Sequence, residues 1–247
     1  MTHAVVVVIP AYNEARTIAT VAQGACRHAD AVIVVDDGSE DNTAAALADL
    51  PVQVVRHPEN RGKAASLCTG MGNALELAPA LVVTMDGDGQ HDPDDIPRLL
   101  AAAARMPGRI VLAARSHGRK AAPPLRRFAN AMADFWISWA AGQWIADTQS
   151  GYRLFPAEIL REVLPVCDRY RGFVFETAVL IEAAERGYEI AAVPIRTLYP
   201  ADARRSYYRP SLDTLLIVRA VAWRLLRRGM APLDLARALG WLGPTRS

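Results

Sequence analysis

Five short apolar runs organise the first half of the chain: Ala4–Ile9, Ala31–Val35, Val52–Arg56, Leu81–Met85 and Arg109–Ala113. They are rich in valine, isoleucine and leucine and lack the alternation of a strand with one wet face. Between them, Glu14–Arg27, Asp41–Asp49, Lys63–Leu77 and Asp94–Arg105 read as helical. Strands apolar on both faces, alternating with helices, predict an α/β fold: a Rossmann-like, mostly parallel sheet flanked by helices. Ligands of such sheets sit beyond the carboxyl ends of the strands, and the polar clusters of this chain fall at those ends. The second half is less regular. Helices are expected near Leu125–Gly142, Ala157–Leu164, Phe175–Arg186 and Ser211–Arg228, with a strand near Glu189–Pro194. With no repeat and no low-complexity linker, residues 1–210 read as one domain. Residues 211–247 read as a C-terminal amphipathic helical extension, a membrane-surface or oligomer contact.

Composition narrows the class. At 51% hydrophobic and 22% charged, the 247 residues can build a core and do not suit a disordered chain. Cys26, Cys68 and Cys167 are odd in number and far apart, which argues against a disulfide framework and for a reducing cytoplasm. Neither a signal peptide nor a spanning run of about 18 apolar residues is evident. The expected location is cytoplasmic, with any membrane contact peripheral on the cytosolic face. From Ala201 onward nine arginines face three aspartates, a charge of +6, whereas the first 200 residues carry 19 basic against 23 acidic groups, or −4. Arginine forks suit phosphate, so the tail anticipates an anionic partner. Nucleic acid is not expected, because the body is acidic and no reader motif occurs.

Three strand-end clusters could carry chemistry. Met85-Asp86-Gly87-Asp88-Gly89-Gln90-His91 sets two carboxylates one glycine apart on a turn. Such a pair can converge on Mg2+ or Mn2+, hard cations that keep positions open for phosphate, and in isolation it equally forms an ordinary Asp/Gly turn. Asp36-Asp37-Gly38-Ser39 reads as a turn in which Ser39 or Asp41 caps a helix. That reading is compatible with one carboxylate facing a base or ribose. Ile9-Pro10-Ala11-Tyr12-Asn13-Glu14 brings an aromatic ring and a carboxylate to a place where a nucleobase could stack, or simply leads a strand into a helix.

In this order and spacing the three clusters resemble the family 2 glycosyltransferases of the GT-A fold. His57-Pro-Glu-Asn-Arg-Gly-Lys63, Asp147-Thr-Gln-Ser-Gly-Tyr-Arg-Leu-Phe155, Phe173-Val-Phe-Glu176 and Val193-Pro-Ile-Arg196 extend the likeness. The pattern is most similar to the dolichyl- or polyprenyl-phosphate mannosyl- and glucosyltransferase branch. The resemblance implies an inverting transfer of a hexose from a GDP- or UDP-sugar to a polyprenyl phosphate. It assigns Pro10, Tyr12, Glu14, Val35 and Asp37 to the nucleoside, and Asp86, Gly87, Asp88 and Gln90 to the diphosphate and the Mg2+ or Mn2+ ion. Asp86, Asp88 and Gln90 would be the metal ligands. Arg115 and Arg127, the latter three residues before Asn130, match positions that meet an acceptor phosphate. Arg205, Ser206 and Arg209 match a basic segment that closes over the donor diphosphate.

An anionic phosphate acceptor needs no deprotonation. A glycan or protein hydroxyl acceptor would need a base, for which Asp147 and Glu176 are the candidates; either could instead be structural. A nucleotidyltransferase would carry an N-terminal Gly-rich, Arg/Lys-bearing loop, which is absent, and a non-catalytic scaffold is at odds with the intact Asp86/Asp88 pair. On Leu125–Gly142, Arg127, Asn130, Asp134 and Ser138 form a polar stripe among Phe128, Met132, Phe135, Trp136, Ile137 and Trp139. So wide an apolar face is buried core or a lipid interface. On Ser211–Arg228, Arg224, Arg227 and Arg228 share a face with Asp213, which suits a membrane surface, a partner, or packing against the domain. Many members of the branch continue into two or more transmembrane helices, and this chain ends after roughly one more helix, so bilayer contact is expected to be peripheral.

Overall fold

A computed structural model of the chain describes residues 4–115, 124–167, 170, 172–195 and 210–242. Its strands are β1 (Val5–Ala11), β2 (Ala31–Asp36), β3 (Gln53–Arg56), β4 (Leu81–Thr84), β5 (Ile110–Arg115), β6 (Arg153–Pro156) and β7 (Ile190–Ile195). The helices are α1 (Ile18–Cys26), α2 (Lys63–Glu76), α3 (Ile96–Arg105), α4 (Pro124–Ala141), α5 (Ala157–Cys167), α6 (Phe173–Glu185), α7 (Pro210–Arg227) and α8 (Pro232–Ala238). The strands form one sheet in the order β3-β2-β1-β4-β6-β5-β7. β1, β2, β3 and β4 run parallel, as do β5 and β7; β6 lies antiparallel between β4 and β5.

The sheet is a slab with two cores, and strand periodicity divides the residues between them. Val6 and Val8 of β1 join Ile33 and Val35 of β2 beneath Leu67 and Met71 of α2, with Phe155 of β6 and Phe175 of α6 in the same layer. Val7 and Ile9 join Val32 and Val34 on the opposite face, under Ile18 and Val21 of α1 and Ile96 and Leu99 of α3. Burying each such side chain is worth about 1.5–3 kcal/mol, which is why the runs of β1 and β2 are apolar on both faces; β3, expected to be covered likewise, is an edge strand exposed at Gln53, Val54 and Arg56. Helix α2 approaches the sheet through Gly70, where a Cβ would stand 2.4 Å from Val8 Cγ1 and 3.0 Å from Val35 Cγ2. Gly70→Val is therefore expected to cost about 1–3 kcal/mol by overpacking, read as a lowered midpoint in urea; an unchanged midpoint would show that the layers can move apart.

Three local expectations are corrected. The stretch Asp41–Asp49 holds only a 3-10 turn, Ala45–Leu47. Asp41 instead accepts from Thr43 N of its own loop at 3.0 Å and from Ala15 N of the loop after β1 at 3.1 Å, bonds that compete with helix. Helix α1 starts at Ile18 rather than Glu14, because Asn13 has φ 55° and the Glu14 amide donates to Thr43 Oγ1 at 2.8 Å. Strand β6 falls inside a stretch read only as a motif, and makes the sheet mixed.

A third cluster joins Ile137 and Ala140 of α4, Ile181 of α6, and Ile217, Val221 and Leu225 of α7. It turns part of each polar stripe inward, while Arg127 and Arg227 stay exposed. Asp134 Oδ1 accepts from Thr148 N at 2.9 Å and Oγ1 at 2.8 Å, and Ser138 Oγ accepts from Ile145 N at 2.9 Å. On α7, Arg224 reaches Glu182 at 3.1 Å and Glu185 at 3.2 Å, and Arg228, just past the helix, pairs with Glu185 at 3.4 Å and with Asp234. Two arginines of the expected basic face thus neutralise α6 and α8, while Trp223 and Leu226 are 62% and 63% exposed. Among the described residues no helix is long and apolar enough to cross a membrane.

Candidate active site

The carboxyl ends of β1, β2 and β4 lie on one edge of the parallel half-sheet and bring the three clusters together. The β1 and β2 loops are sewn to each other: Asn13 N donates to Ser39 Oγ at 2.9 Å, and Glu40 N to Asn13 Oδ1 at 2.8 Å. Ser39 is thereby used as a cross-loop acceptor, and the short turn that follows has no side-chain cap. Pro10, Tyr12 and Glu14 are each partly exposed along this rim. Val35 is fully buried, its side chain in the α2 layer, so it has no side chain to offer a ligand.

The two aspartates after β2 have different environments. Asp36 is fully buried; Oδ1 accepts from Ser39 N at 2.9 Å, while Oδ2 lies 3.2 Å from Arg56 Nε without forming an aligned hydrogen bond. A buried carboxylate oxygen lacking a hydrogen bond is costly, and the Arg56 charge beside it offsets part of that cost. Asp37 is saturated. His57 Nδ1 lies 2.6 Å from Oδ1, and the amides of Arg61 and Gly62 donate to Oδ1 and Oδ2 at 3.0 and 2.7 Å. Gly38, at φ 70°, has no room for a side chain, since a Cβ would stand 2.5 Å from the Glu59 carbonyl carbon.

After β4, Asp86 Oδ1 lies 2.6 Å from Lys63 Nζ, which also stands 3.4 Å from Glu176 Oε1. Burial opposes the lysine charge, but Asp86 and Glu176 outweigh it and raise the Lys63 pKa above its ordinary value. Burial likewise opposes the Asp86 charge, and Lys63 foremost overcomes it, drawing the carboxyl down to about 2. Asp88 moves the other way: burial and then the charge of Asp86 raise its pKa. Its Oδ1 accepts from Gln90 N at 3.0 Å. His91 Nδ1 accepts from Asp86 N at 3.2 Å, and burial drives its pKa down to about 4. Gly87 carries the turn over α1, its carbonyl accepting from Thr17 Oγ1 at 2.7 Å.

The 147–153 segment closes the other side. Arg115, at the end of β5, holds Asp147 in a fork, Nε to Oδ2 at 2.9 Å and Nη2 to Oδ1 at 2.8 Å, and its amide also donates to Oδ2 at 2.8 Å. Asp147 has φ 52°, a left-handed conformation these bonds help to hold. Arg153 is 2% exposed and donates to the carbonyls of Ser150, Thr148 and Glu176 at 2.8, 3.0 and 2.6 Å. Burial lowers its pKa, while Glu176, Asp86 and Asp147 oppose that shift. Asp86, Asp88, Arg115, Asp147 and Glu176 thus share one electrostatic neighbourhood. Arg127 is exposed on α4, and Arg205, Ser206 and Arg209 lie outside the described residues. Lys63, His57 and Arg153 stood in quoted motifs without an assigned role. Their signal was a charged or titratable residue inside a motif that extends the family likeness, His57 and Lys63 just after β3 and Arg153 at the start of β6.

The carboxylates of Asp86 and Asp88 are oxygen donors of the kind a hard divalent cation takes, and burial first, with the Asp86 charge second, holds Asp88 above its ordinary pKa, a shift that a cation would oppose. Among the described residues no group of three His, Cys, Asp or Glu side chains could hold a metal alone. Gln90, water or phosphate oxygens would have to complete the shell, as is usual for Mg2+ at a substrate phosphate.

Residues 6–164 match the family described as Glycosyl transferase family 2. The chain is 31% identical over 215 residues to UDP-N-acetylglucosamine–dolichyl-phosphate N-acetylglucosaminyltransferase of Methanococcus voltae, spanning 78% of this chain and 84% of that one. It is 28% identical over 234 residues to undecaprenyl-phosphate mannosyltransferase of Micrococcus luteus, spanning 91% and 95%. Glucosyl-3-phosphoglycerate synthase of Mycobacterium tuberculosis, solved with Mn2+, UDP and phosphoglyceric acid, superposes with a TM-score of 0.66 at 22% identity over 92% of this chain and 78% of that one. Mannosyl-3-phosphoglycerate synthase of Rubrobacter xylanophilus superposes with a TM-score of 0.69 at 20% identity, over 92% and 75%. These two superpositions establish a shared fold.

Proposed function

The chain belongs to glycosyl transferase family 2, and from that premise we propose that it moves a hexose from a nucleotide-sugar, UDP-linked in the first instance, onto an acceptor with inversion at the anomeric carbon. The observation that carries this reading is the Asp86/Asp88 pair at the ligand-binding edge, with the Lys63 ammonium 2.6 Å from Asp86 Oδ1. Bond formation to the anomeric carbon expels a nucleoside diphosphate, whose charge is the main electrostatic demand. A bound Mg2+ or Mn2+ would supply neutralisation of that leaving group. Asp86, Asp88 and Gln90 would hold the ion. Tyr12 and Glu14, partly exposed on the rim, would frame the nucleoside. Lys63 keeps Asp86 ionised and oriented.

Two acceptors are weighed. A soluble hydroxyl acceptor draws support from the phosphoglycerate synthases, which share the fold over 92% of this chain and whose complexes hold donor nucleotide, metal and acceptor together. This reading needs a base. Both Asp147 oxygens are engaged by Arg115, which makes Glu176 the better placed of the two candidates. The second reading, a polyprenyl phosphate, is favoured by the names of the relatives from M. voltae and M. luteus. A lipid acceptor would use the outward apolar side chains Phe128, Trp223, Leu226 and Trp241, beside the exposed Arg219 and Arg227, as a peripheral contact with an anionic surface. Where the acceptor carries a phosphate, Arg115 and Arg127 are the residues proposed to meet it.

The test is a donor screen with UDP- and GDP-sugars in Mg2+ or Mn2+, offering 3-phosphoglycerate, neutral glycans, or polyprenyl phosphate in vesicles. Release of nucleoside diphosphate without acceptor-linked sugar in every arm would reject the proposal. Arg127→Ala should raise KM for a phosphate-bearing acceptor about tenfold, the loss of one charge-assisted contact, with nucleotide affinity unchanged. Equal weakening of both would remove Arg127 from the acceptor site.

A further inference from the structure

His57 is 5% exposed and has both ring nitrogens engaged. Nδ1 faces Asp37 Oδ1 at 2.6 Å, and because a carboxylate only accepts, the Nδ1 proton is donated to it. On the other side Nε2 lies 3.0 Å from Thr69 Oγ1, within hydrogen-bond distance. The two partners bear on the same helix from different heights. Asp37 holds the amides of Arg61 and Gly62, immediately before α2, and Thr69 lies about two turns farther along it. Gly62 precedes the helix at φ 88° and gives it no side-chain cap. Asp37 thus holds the entry to α2, and the His57 ring links Asp37 to Thr69 farther along the same helix.

Lys63 is the first residue of that helix, with Nζ 2.6 Å from Asp86 and 3.4 Å from Glu176. There is little room for error. A Cβ on Gly151 would stand 2.8 Å from Lys63 Nζ and 3.0 Å from Asp86 Oδ2, so the 147–153 segment closes directly over the ion pair. We propose that His57 is a positioning residue for the donor site: through Asp37 and α2 it places the Lys63 ammonium between Asp86 and Glu176. The chain His57–Asp37–Gly62–Lys63–Asp86 couples the β2 cluster to the β4 cluster, which are otherwise separate loops. In its activity readout the inference rests on the donor-site reading above.

A core histidine that only packs would affect stability and leave Lys63 in place. A positioning histidine acts through Lys63, so the decisive experiment is a cycle of His57→Ala and Lys63→Met, with His57→Asn as the conservative variant. Asparagine presents a donor near the Nδ1 position and can restore the bond to Asp37. His57→Ala should lower kcat/KM for the donor by roughly 10- to 100-fold, as expected of ångström-scale misplacement of a site group, and His57→Asn should recover most of it. In the Lys63→Met background the same His57→Ala change should cost less than about threefold, a non-additivity typical of groups acting through one another. A second readout does not depend on transfer: the Lys63 ammonium signal in 15N-lysine NMR, assigned by its loss in Lys63→Met, should shift in His57→Ala and return in His57→Asn. If His57→Ala does not fold, Thr69→Val removes only the Nε2 contact and should shift the same signal. An unmoved ammonium signal, or an equal fold-loss in both backgrounds, overturns the proposal. A wild-type protein that binds no nucleoside diphosphate defeats the donor-site reading instead, and leaves the NMR arm to decide the role of His57.

Discussion

Asp88→Asn abolishes sugar transfer, with kcat falling by about 10³-fold or more, while the metal-free protein melts no lower than wild type. On the proposed donor-site reading, the catalytic loss follows from removing a negative ligand of the cation that would neutralise the leaving diphosphate, an electrostatic contribution of about 3–4 kcal/mol or above. The stability expectation has the opposite sign for a local reason. Burial and the neighbouring Asp86 charge already work against ionised Asp88, so a neutral amide relieves repulsion when no cation is bound. Asp86→Asn behaves differently, because it takes from Lys63 its partner at 2.6 Å and leaves only Glu176 at 3.4 Å. That variant should melt lower as well as lose activity. Differential scanning fluorimetry with and without Mn2+ and UDP separates the two, since wild type should gain stability from the ligands and Asp88→Asn should not. Near wild-type turnover in Asp88→Asn would remove the carboxylate from the reaction.

Arg153→Met has the largest structural effect expected at this site, about 3–5 kcal/mol, the range for removing one partner from a buried charged network. The side chain is 2% exposed and supplies donors to three carbonyls, those of Thr148, Ser150 and Glu176. Methionine fills much of the volume but leaves those carbonyls unmatched, and withdraws a positive charge that Glu176, Asp86 and Asp147 all feel. Arg153→Lys should recover only part of the loss, because an ammonium cannot spread its donors as a planar fork does. For a chain of this size the shift corresponds to roughly 10 °C in Tm. Urea unfolding gives the free energy directly. A change under about 1 kcal/mol would mean that water replaces the guanidinium, and that Arg153 does not hold the 147–153 segment against α6.

The outline of the sheet was legible because its residues satisfy the same rule many times over. Val6, Val7, Val8 and Ile9 are all fully buried, so the apolar run along β1 announces a strand covered on both sides whatever its neighbours are. The three acidic and aromatic clusters could be placed for the same reason: a turn that follows a buried parallel strand lies at the ligand-binding edge. Strand β6 escaped because four residues, Arg153–Pro156, carry too little pattern, and because its partners Leu81–Thr84 lie more than sixty residues away. The turn at Asp41–Asp49 escaped because side-chain bonds between loops outweighed a helical composition.

From the order of its amino acids alone, this protein had its alternating architecture, its family resemblance and the edge where its acidic clusters gather. Those properties depend on local pattern and on burial, which each residue carries with it. Only the tertiary structure decided which charges meet: Lys63 with Asp86 and Glu176, Arg115 with Asp147, and Arg224 with the carboxylates of α6 rather than with an outside surface. Electrostatic partnership depends on distance in space, and the folded sheet sets those distances between residues far apart along the chain.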